Sequence, residues 1–381
     1  MAVPHPVNLD DLRPRLQRAF DTAVAKVRHT VETYPDFFPI YTVGGKWKHD
    51  GELWTDWCAG FLAGQMWLIE GRTRDAWWRE RAEHYSKLLE HKKHDRDVHD
   101  LGFIFLSTYL PWYDRTGDET INDVLITAGR TLALRFNDRG RYLRSFVAPE
   151  SLFIDIMMNV PIIFYAAQQT GDKGLYDLAV AHCRTTERTI VRPNGGTAHE
   201  GIFDTATGQF LRQTTHQGLA ADSDWSRGLA WSLYGYSKVY RYTDDPADLA
   251  VARRNADHFL ARLPDSFVAP WDFDVPADSP DRIDDSSASA IAASGLLELA
   301  GLTHASDPEA ADRYRLAALN TLDALCTSRY VAWNDPEWEG VLKHGVYHFH
   351  KKLGVDESVM WGEYFFLEGV CKALLEPGSG H

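Results

Sequence analysis

No apolar run in the 381-residue sequence approaches the roughly 20 residues needed to span a bilayer, which argues against a membrane helix. The N-terminus, MAVPHPVNLDDLRPRL, lacks a basic region followed by an apolar stretch. A signal peptide is therefore not expected, and a cytoplasmic location is the default. Cysteine is scarce: Cys58, Cys183, Cys326 and Cys371 lie far apart, with no C-x-x-C pair. That pattern suits free thiols in a reducing compartment better than a disulfide or zinc framework. An excess of positive charge is missing too. The formal net charge of −14 argues against nucleic acid as a partner, because phosphate recognition needs clustered Lys and Arg. A small anionic substrate needs only a local basic pocket. H-E-x-x-H, G-x-S-x-G, a phosphate-binding Gly-rich loop and an EF-hand pattern are all absent, and no spacing among the 16 histidines points to a metal. Neither a metal nor a cofactor is expected.

What is present is core and helix. A hydrophobic fraction of 44% with 25% charged residues can bury a large core. No Pro/Gly/Ser-rich stretch looks like a linker, so residues 1–376 are expected to form one domain, with 377–381 as a flexible tail. Periodicity predicts helices nearly everywhere and no convincing run of alternating strands. Several segments share one punctuation, a short turn ending in Asp and then an amphipathic, Ala-rich helix. Examples are Thr116-Gly117-Asp118, Thr170-Gly171-Asp172, Thr243-Asp244-Asp245-Pro246 and Ser306-Asp307-Pro308. Gly stops the preceding helix, Asp caps the next and Pro suits its first position. A fifth such helix follows Gly71-Arg72-Thr73, and a sixth is expected from about Asp10 to Tyr34.

These helices alternate with more apolar ones near Trp57–Ile69, Leu101–Arg115, Pro161–Thr170, Trp225–Tyr242, Ser286–Ala300 and Ser358–Leu375. Two alternating sets of about six fit the outer and inner rings of an all-α, (α/α)6 barrel. An open solenoid of HEAT type is the alternative. Closure is favoured because the repeats are irregular and the connecting loops are long and rich in aromatic, Gly and polar residues. In a closed toroid the inner helices run parallel, so their N-termini converge on one mouth and favour a carboxylate there.

Acidic residues gather at those entrances: Asp56, Asp100, Asp155, Asp222 with Asp224, Asp284 with Asp285, and Asp356 with Glu357. Asp is a preferred N-cap, so capping or hydrogen bonding accounts for Asp56, Asp222, Asp224, Asp284 and Asp285. Asp155 differs, because SLFIDIMMNVPIIFY surrounds it with apolar residues and leaves Asn159 as its nearest polar neighbour. An isolated buried carboxylate must be hydrogen-bonded, paired or protonated, and a protonated carboxyl is what a general acid needs. Pro161 places Asp155 in the turn entering the helix. Asp100 follows His99; N-capping would explain it equally, but if it faces Asp155 across the mouth its negative charge opposes ionisation of Asp155. Two neighbouring carboxylates are also common equipment of glycosidases. Trp225-Ser226-Arg227-Gly228-Leu229-Ala230-Trp231 sets an Arg between two Trp residues, a fork for a carboxylate beside faces for a sugar; a structural ion pair among core tryptophans would read the same. Trp54 and Trp57 suit a platform or core packing equally.

At these residues the sequence resembles the unsaturated glucuronyl hydrolases, glycoside hydrolase family 88. The shared motifs are Trp54-Thr55 with Gly60-Phe61, His99-Asp100-Leu101-Gly102-Phe103 and Ile154-Asp155-Ile156-Met157-Met158-Asn159-Val160-Pro161. Further on come His216-Gln217-Gly218, Trp225-Ser226-Arg227-Gly228, Asp285-Ser286-Ser287-Ala288 and Trp361-Gly362-Glu363-Tyr364-Phe365. The resemblance implies an (α/α)6 barrel. It also implies a glycosidase that releases the terminal 4,5-unsaturated uronic acid of a polysaccharide-lyase product by hydrating its C4=C5 double bond. The resemblance makes Asp155 the general acid/base and Asp100 the second essential carboxylate. It places His199, Gln217, Trp225, Arg227 and Trp231 around the sugar, its carboxylate and the water, with His99 and Trp54 as further substrate contacts. Where a Trp often stacks on the substrate, this chain offers Phe146 or Tyr142, and the stretch Arg141–Pro149 looks shortened. Alternatives are an unsaturated rhamnogalacturonyl hydrolase, an N-acylglucosamine 2-epimerase type of enzyme using histidine bases, and a non-enzymatic scaffold.

Overall fold

The structure, a computed structural model, describes residues 5–7, 9–49, 56–333 and 335–375. Trp54 and the expected tail 377–381 lie outside the described residues. Among the described residues, twelve α-helices alternate between two sets. The first set is α1 (Leu9–Thr33), α3 (Ala76–Leu88), α5 (Glu119–Ala133), α7 (Lys173–Thr189), α9 (Pro246–Arg262) and α11 (Pro308–Leu325). The second is α2 (Gly60–Thr73), α4 (Leu101–Thr116), α6 (Pro161–Thr170), α8 (Ser226–Thr243), α10 (Ser286–Thr303) and α12 (Met360–Leu374).

Packing shows which set is inside. α2 packs on α4, α4 on α6, α6 on α8, α8 on α10, α10 on α12, and α12 returns to α2. The inner ring therefore closes, and the fold is an (α/α)6 barrel rather than an open solenoid. Each outer helix packs against its inner neighbours. Its sequence divides accordingly: Leu12, Leu16, Ala19, Ala23 and Val27 bury one stripe of α1, whereas α10 is buried on nearly every face at its start.

The punctuation anticipated from sequence makes the short turns. Asp75, Asp118, Asp172, Asp245 and Asp307 sit at the N-caps of α3, α5, α7, α9 and α11, and each carboxylate accepts a backbone N–H of its first turn. Gly117 and Gly171 just before them take the left-handed conformation that ends α4 and α6. Inner helices thus turn tightly into outer ones at one end of the barrel. The way back, from outer to inner helix, is long at the other end, and those loops build the mouth.

Short strands occupy the long loops, where the sequence shows no convincing run of alternating residues. They are β1 (Thr42–Val43), β2 (Lys46–Trp47), β3 (Phe136–Asn137), β4 (Tyr142–Leu143), β5 (Ser151–Phe153), β6 (Glu200–Phe203), β7 (Phe210–Thr214), β8 (Gly345–His348) and β9 (Leu353–Glu357). At two to five residues each, they are too short for alternation to show in the sequence. The antiparallel sheet β5-β6-β7 matters most, because it ties the loop before α6 to the loop before α8. No helix among the described residues is long and apolar enough to cross a membrane.

Candidate active site

Asp155 lies in a 3-10 turn, Ile154–Met158, between β5 and α6, as Pro161 at the start of α6 implied. Gly235 of α8 lets this turn approach closely, since a Cβ there would meet the Met157 carbonyl oxygen at 2.6 Å. Asn159 then ties the turn to α4. Its Oδ1 accepts the Phe103 N–H at 2.7 Å, and its Nδ2 donates to the Asp155 carbonyl at 3.1 Å. Gly102 makes that approach possible, because a Cβ would lie 2.4 Å from Asn159 Cα. Asp100, two residues earlier, is thereby carried to the same cavity. It occupies the N-cap position of α4 without spending its carboxylate on the cap. Five outer helices use their Asp as a cap, whereas here the carboxyl group is left for the cavity.

Both carboxylates are buried, Asp100 at 4% and Asp155 at 8% exposure. Burial, and after it the charge of Asp155, push the Asp100 carboxyl well above the usual carboxylate range, while Arg135 pulls it partly back. Among the described residues, Asp155 Oδ1 has no hydrogen-bond partner.

A histidine accompanies each carboxylate. His199 immediately precedes β6, and the pairing of Phe153 with Glu200 sets it beside the Asp155 turn, where its carbonyl accepts the Ile154 N–H at 3.0 Å. Its Nδ1 accepts the backbone N–H groups of His216 and Gln217, both at 3.0 Å. Backbone N–H groups only donate, so the ring proton sits on Nε2, which points to Asp155 Oδ2 at 3.6 Å. His99 repeats the arrangement. Its Nδ1 accepts the Phe146 N–H at 3.1 Å and its Nε2 lies 3.4 Å from Asp100 Oδ1. Burial, against the opposing pull of Asp155, lowers the His99 pKa to about 3. It stays neutral throughout the working range.

Arg227, in the first turn of α8, is 1% exposed and lies between the rings of Trp225 (4.4 Å) and Trp361 (5.0 Å). The sequence suggested an open guanidinium fork, but the structure has none. Nη1 donates to the Val346 carbonyl, and Nη2 donates to the Tyr347 carbonyl at 2.8 Å and to Gln217 Oε1. Asp285 Oδ2 balances the charge from 3.6 Å, while Asp285 Oδ1 caps α10 by accepting from Ser287 and Ala288 N–H. Because a guanidinium only donates, Gln217 must give it the amide oxygen, which turns the Gln217 NH2 group away as a donor.

These groups line one cavity of about 430 Å³, part of it open to solvent. His99, Asp100, Asp155, Gln217, Trp225, Arg227 and Trp231 all contribute to it, so sequence-selected residues from four separate segments do converge. His199 is buried behind Asp155, in contact with Phe153 (4.4 Å) and Trp225 (4.5 Å). Of the two proposed stacking residues, Phe146 lines the cavity; Tyr142 is buried away from it, stacked on Phe203 at 4.1 Å. Trp57 serves the cavity and the core together, in contact with Trp361 at 4.7 Å. Phe103, Phe153 and Tyr347 also form walls, and none carried a signal separating it from a core aromatic. Three further entrance acids are engaged by ion pairs and hydrogen bonds. Asp224 binds Arg192, His258 and Arg262; Asp284 binds Arg329 and Tyr330; Asp56 pairs with Lys92. Among the described residues, no three His, Cys, Asp or Glu side chains converge as a metal centre would require.

Residues 39–324 match the model of Glycosyl Hydrolase Family 88, and the chain belongs to that family. It is 34% identical over 373 residues to an unsaturated glucuronyl hydrolase of Bacillus sp. (strain GL1), covering 95% of this chain and 97% of that one. It is 31% identical over 328 residues to an unsaturated chondroitin disaccharide hydrolase of Streptococcus pneumoniae, covering 84% of this chain and 82% of that one. The crystal structure of the Bacillus sp. GL1 enzyme superposes with a TM-score of 0.87 at 33% identity, covering 93% of this chain and 96% of that one.

Proposed function

We propose that the protein removes the terminal 4,5-unsaturated uronic acid from lyase-generated oligosaccharides by adding water across the C4=C5 bond, within a single catalytic domain spanning residues 1–376. The observation that carries this reading is the buried Asp100–Asp155 pair, each member with its own histidine, in a cavity walled by aromatic rings.

Burial and the charge of Asp155 raise the Asp100 pKa, so Asp100 holds its proton to higher pH than an isolated carboxyl would. Asp155, with an oxygen that has no partner among the described residues, is the member free to act on substrate. It delivers the proton to C4 and accepts one from the water that attacks C5. The adduct carries the new hydroxyl and the ring oxygen on C5, which makes it a hemiketal. Its collapse breaks the C5–O5 bond and leaves a ketone at C5. C1, now a hemiacetal, expels the next sugar as an alcohol and becomes an aldehyde. One water is consumed and no other reactant is needed. The His199 Nε2–H steadies the carboxylate it faces. The Gln217 NH2 group meets the substrate carboxylate, with the Arg227 charge directly behind it. Trp225, Trp231 and Phe146 offer faces to the sugars.

An epimerase on the same barrel would rely on histidine bases. His99, with a pKa of about 3, and His199, with Nδ1 already accepting two N–H bonds, suit that task poorly.

The test is an ultraviolet assay on unsaturated disaccharides from chondroitin, heparin, hyaluronan, gellan, xanthan and pectin. Loss of the conjugated alkene absorbance with wild type, but not with Asp155→Asn, is the expected result and names the sugar that follows the uronate. Turnover of the pectin product alone would favour the rhamnogalacturonyl variant. Folded wild-type protein leaving every absorbance unchanged would overturn the reading.

A further inference from the structure

Arg135 follows α5 at the start of the β3–β4 hairpin and is 6% exposed. Among the described residues its guanidinium makes no salt bridge and instead gathers three carbonyl oxygens. Nε donates to Arg144 O at 2.9 Å, Nη2 to Ser145 O at 2.5 Å, and Nη1 to Arg96 O. Its own carbonyl accepts the Arg144 N–H at 3.1 Å. Arg96 lies on the approach to His99-Asp100. Arg144 and Ser145 lead into Phe146, whose N–H in turn holds His99 Nδ1. One buried cation therefore joins the segment that delivers a carboxylate of the pair to the segment that delivers a wall of the cavity.

We infer that Arg135 is a positioning residue that clamps the approach to Asp100 against the Phe146 loop, so that the acid pair and the cavity wall are fixed as one unit. This rests on the reading of Asp100 and Asp155 as the acid pair. Three carbonyls in one fork suit a guanidinium, whose planar donors are pre-organised, better than an ammonium. The charge has a second effect. The groups that bear on Arg135 are Asp95, Asp97, Asp100 and Arg144, and those that bear on Asp100 are Asp95, Asp155 and Arg135, with His99 Nε2 in contact. His182 of α7 holds the other side of the hairpin through the Leu143 N–H. Arg135 is the cation among the groups acting on Asp100, and it offsets part of the push from burial and from Asp155.

The test compares Arg135→Lys, which keeps the charge and loses the fork, with Arg135→Met, which loses both. Hydrogen exchange is read on the amides of residues 95–100 and 144–147 in the free protein, and pH profiles of kcat/KM are taken on a disaccharide that wild type turns over. The clamp predicts faster exchange in both segments for both variants, with a raised KM. In Arg135→Met the limb that titrates Asp100 moves to higher pH by about one unit, the low end for losing a nearby opposite charge; in Arg135→Lys it stays. Unchanged exchange in folded variants overturns the clamp. Lower thermal stability with exchange confined to other segments, and with KM and the limb unmoved, also overturns it and leaves only a packing role. If Arg135→Met does not fold, exchange and KM in Arg135→Lys decide. Full activity in Asp100→Asn would instead sink the acid-pair reading, and the exchange data would still judge the clamp.

Discussion

His199 Nε2 stands 3.6 Å from Asp155 Oδ2 while His199 Nδ1 is fully engaged by the N–H groups of His216 and Gln217. The ring thus couples Asp155 to the loop that carries Gln217. The two duties are separable by mutation. Asn can imitate Nδ1 with its amide oxygen but does not reach Asp155, whereas Ala does neither. His199→Asn should therefore retain near-wild-type thermal stability and KM but lose about tenfold or more in kcat, and His199→Ala should lose stability and KM as well. Equal stability in the two variants would show that the loop does not depend on the ring.

The helical frame was legible because it is written locally. The turns before α5, α7, α9 and α11 carry their Gly, Asp and Pro signals within a few residues of the helices they punctuate. Asp155 was legible for a similar reason, as a carboxylate set in an apolar run. His199 was not, because its importance depends on β5 pairing with β6, a contact between strands too short to leave a period. Asp285 reads as a cap and is one, but its other oxygen balances Arg227 only because α8 and α10 are neighbours in the closed ring. Arg135 sits in an ordinary LRF stretch, and nothing there hints at the three carbonyls it gathers.

Asp100 ties stability to pH in a direction opposite to that of a paired carboxylate. Its folded-state pKa lies above the unfolded value, so the folded protein holds a proton that the unfolded chain has released. Stability from this group falls as pH rises from the unfolded carboxylate range of about 4 through the folded pKa. Asp100→Asn keeps the shape and removes the penalty. Its melting temperature should exceed that of wild type, by more at pH 8 than at pH 5, while kcat drops by at least about 100-fold. A melting temperature below wild type at both pH values would contradict the burial argument.

Phe146, one of the two rings the sequence offers for stacking, lines the cavity on a half-buried loop beside His99 (5.5 Å) and Phe153 (6.1 Å). Its removal should cost a sugar-facing contact without touching the acid pair. Phe146→Ala is expected to raise KM about three- to tenfold with kcat within about twofold, matching the 0.5–1.5 kcal/mol of an aromatic contact. A comparable fall in kcat would mean that the loop also sets Asp100, through the Phe146 N–H to His99.

The Arg227–Asp285 pair separates stability from recognition. Both side chains are essentially excluded from water, and Arg227 also has Gln217 Oε1 and two carbonyls as partners. Removing one charge leaves the other buried and uncompensated, at a cost of about 3–5 kcal/mol. Arg227→Met should thus melt well below wild type, and it should also release Gln217 and raise KM. Adding Asp285→Asn removes the stranded carboxylate and should recover a large part of the lost stability, because the amide still accepts the α10 cap bonds. It should recover none of the lost affinity, since neither the cation nor the Gln217 anchor returns. Melting curves and steady-state kinetics on the two single variants and the double variant measure both quantities. Stabilities that simply add would show that the two charges do not compensate each other. Recovered affinity in the double variant would show that the substrate carboxylate is held elsewhere.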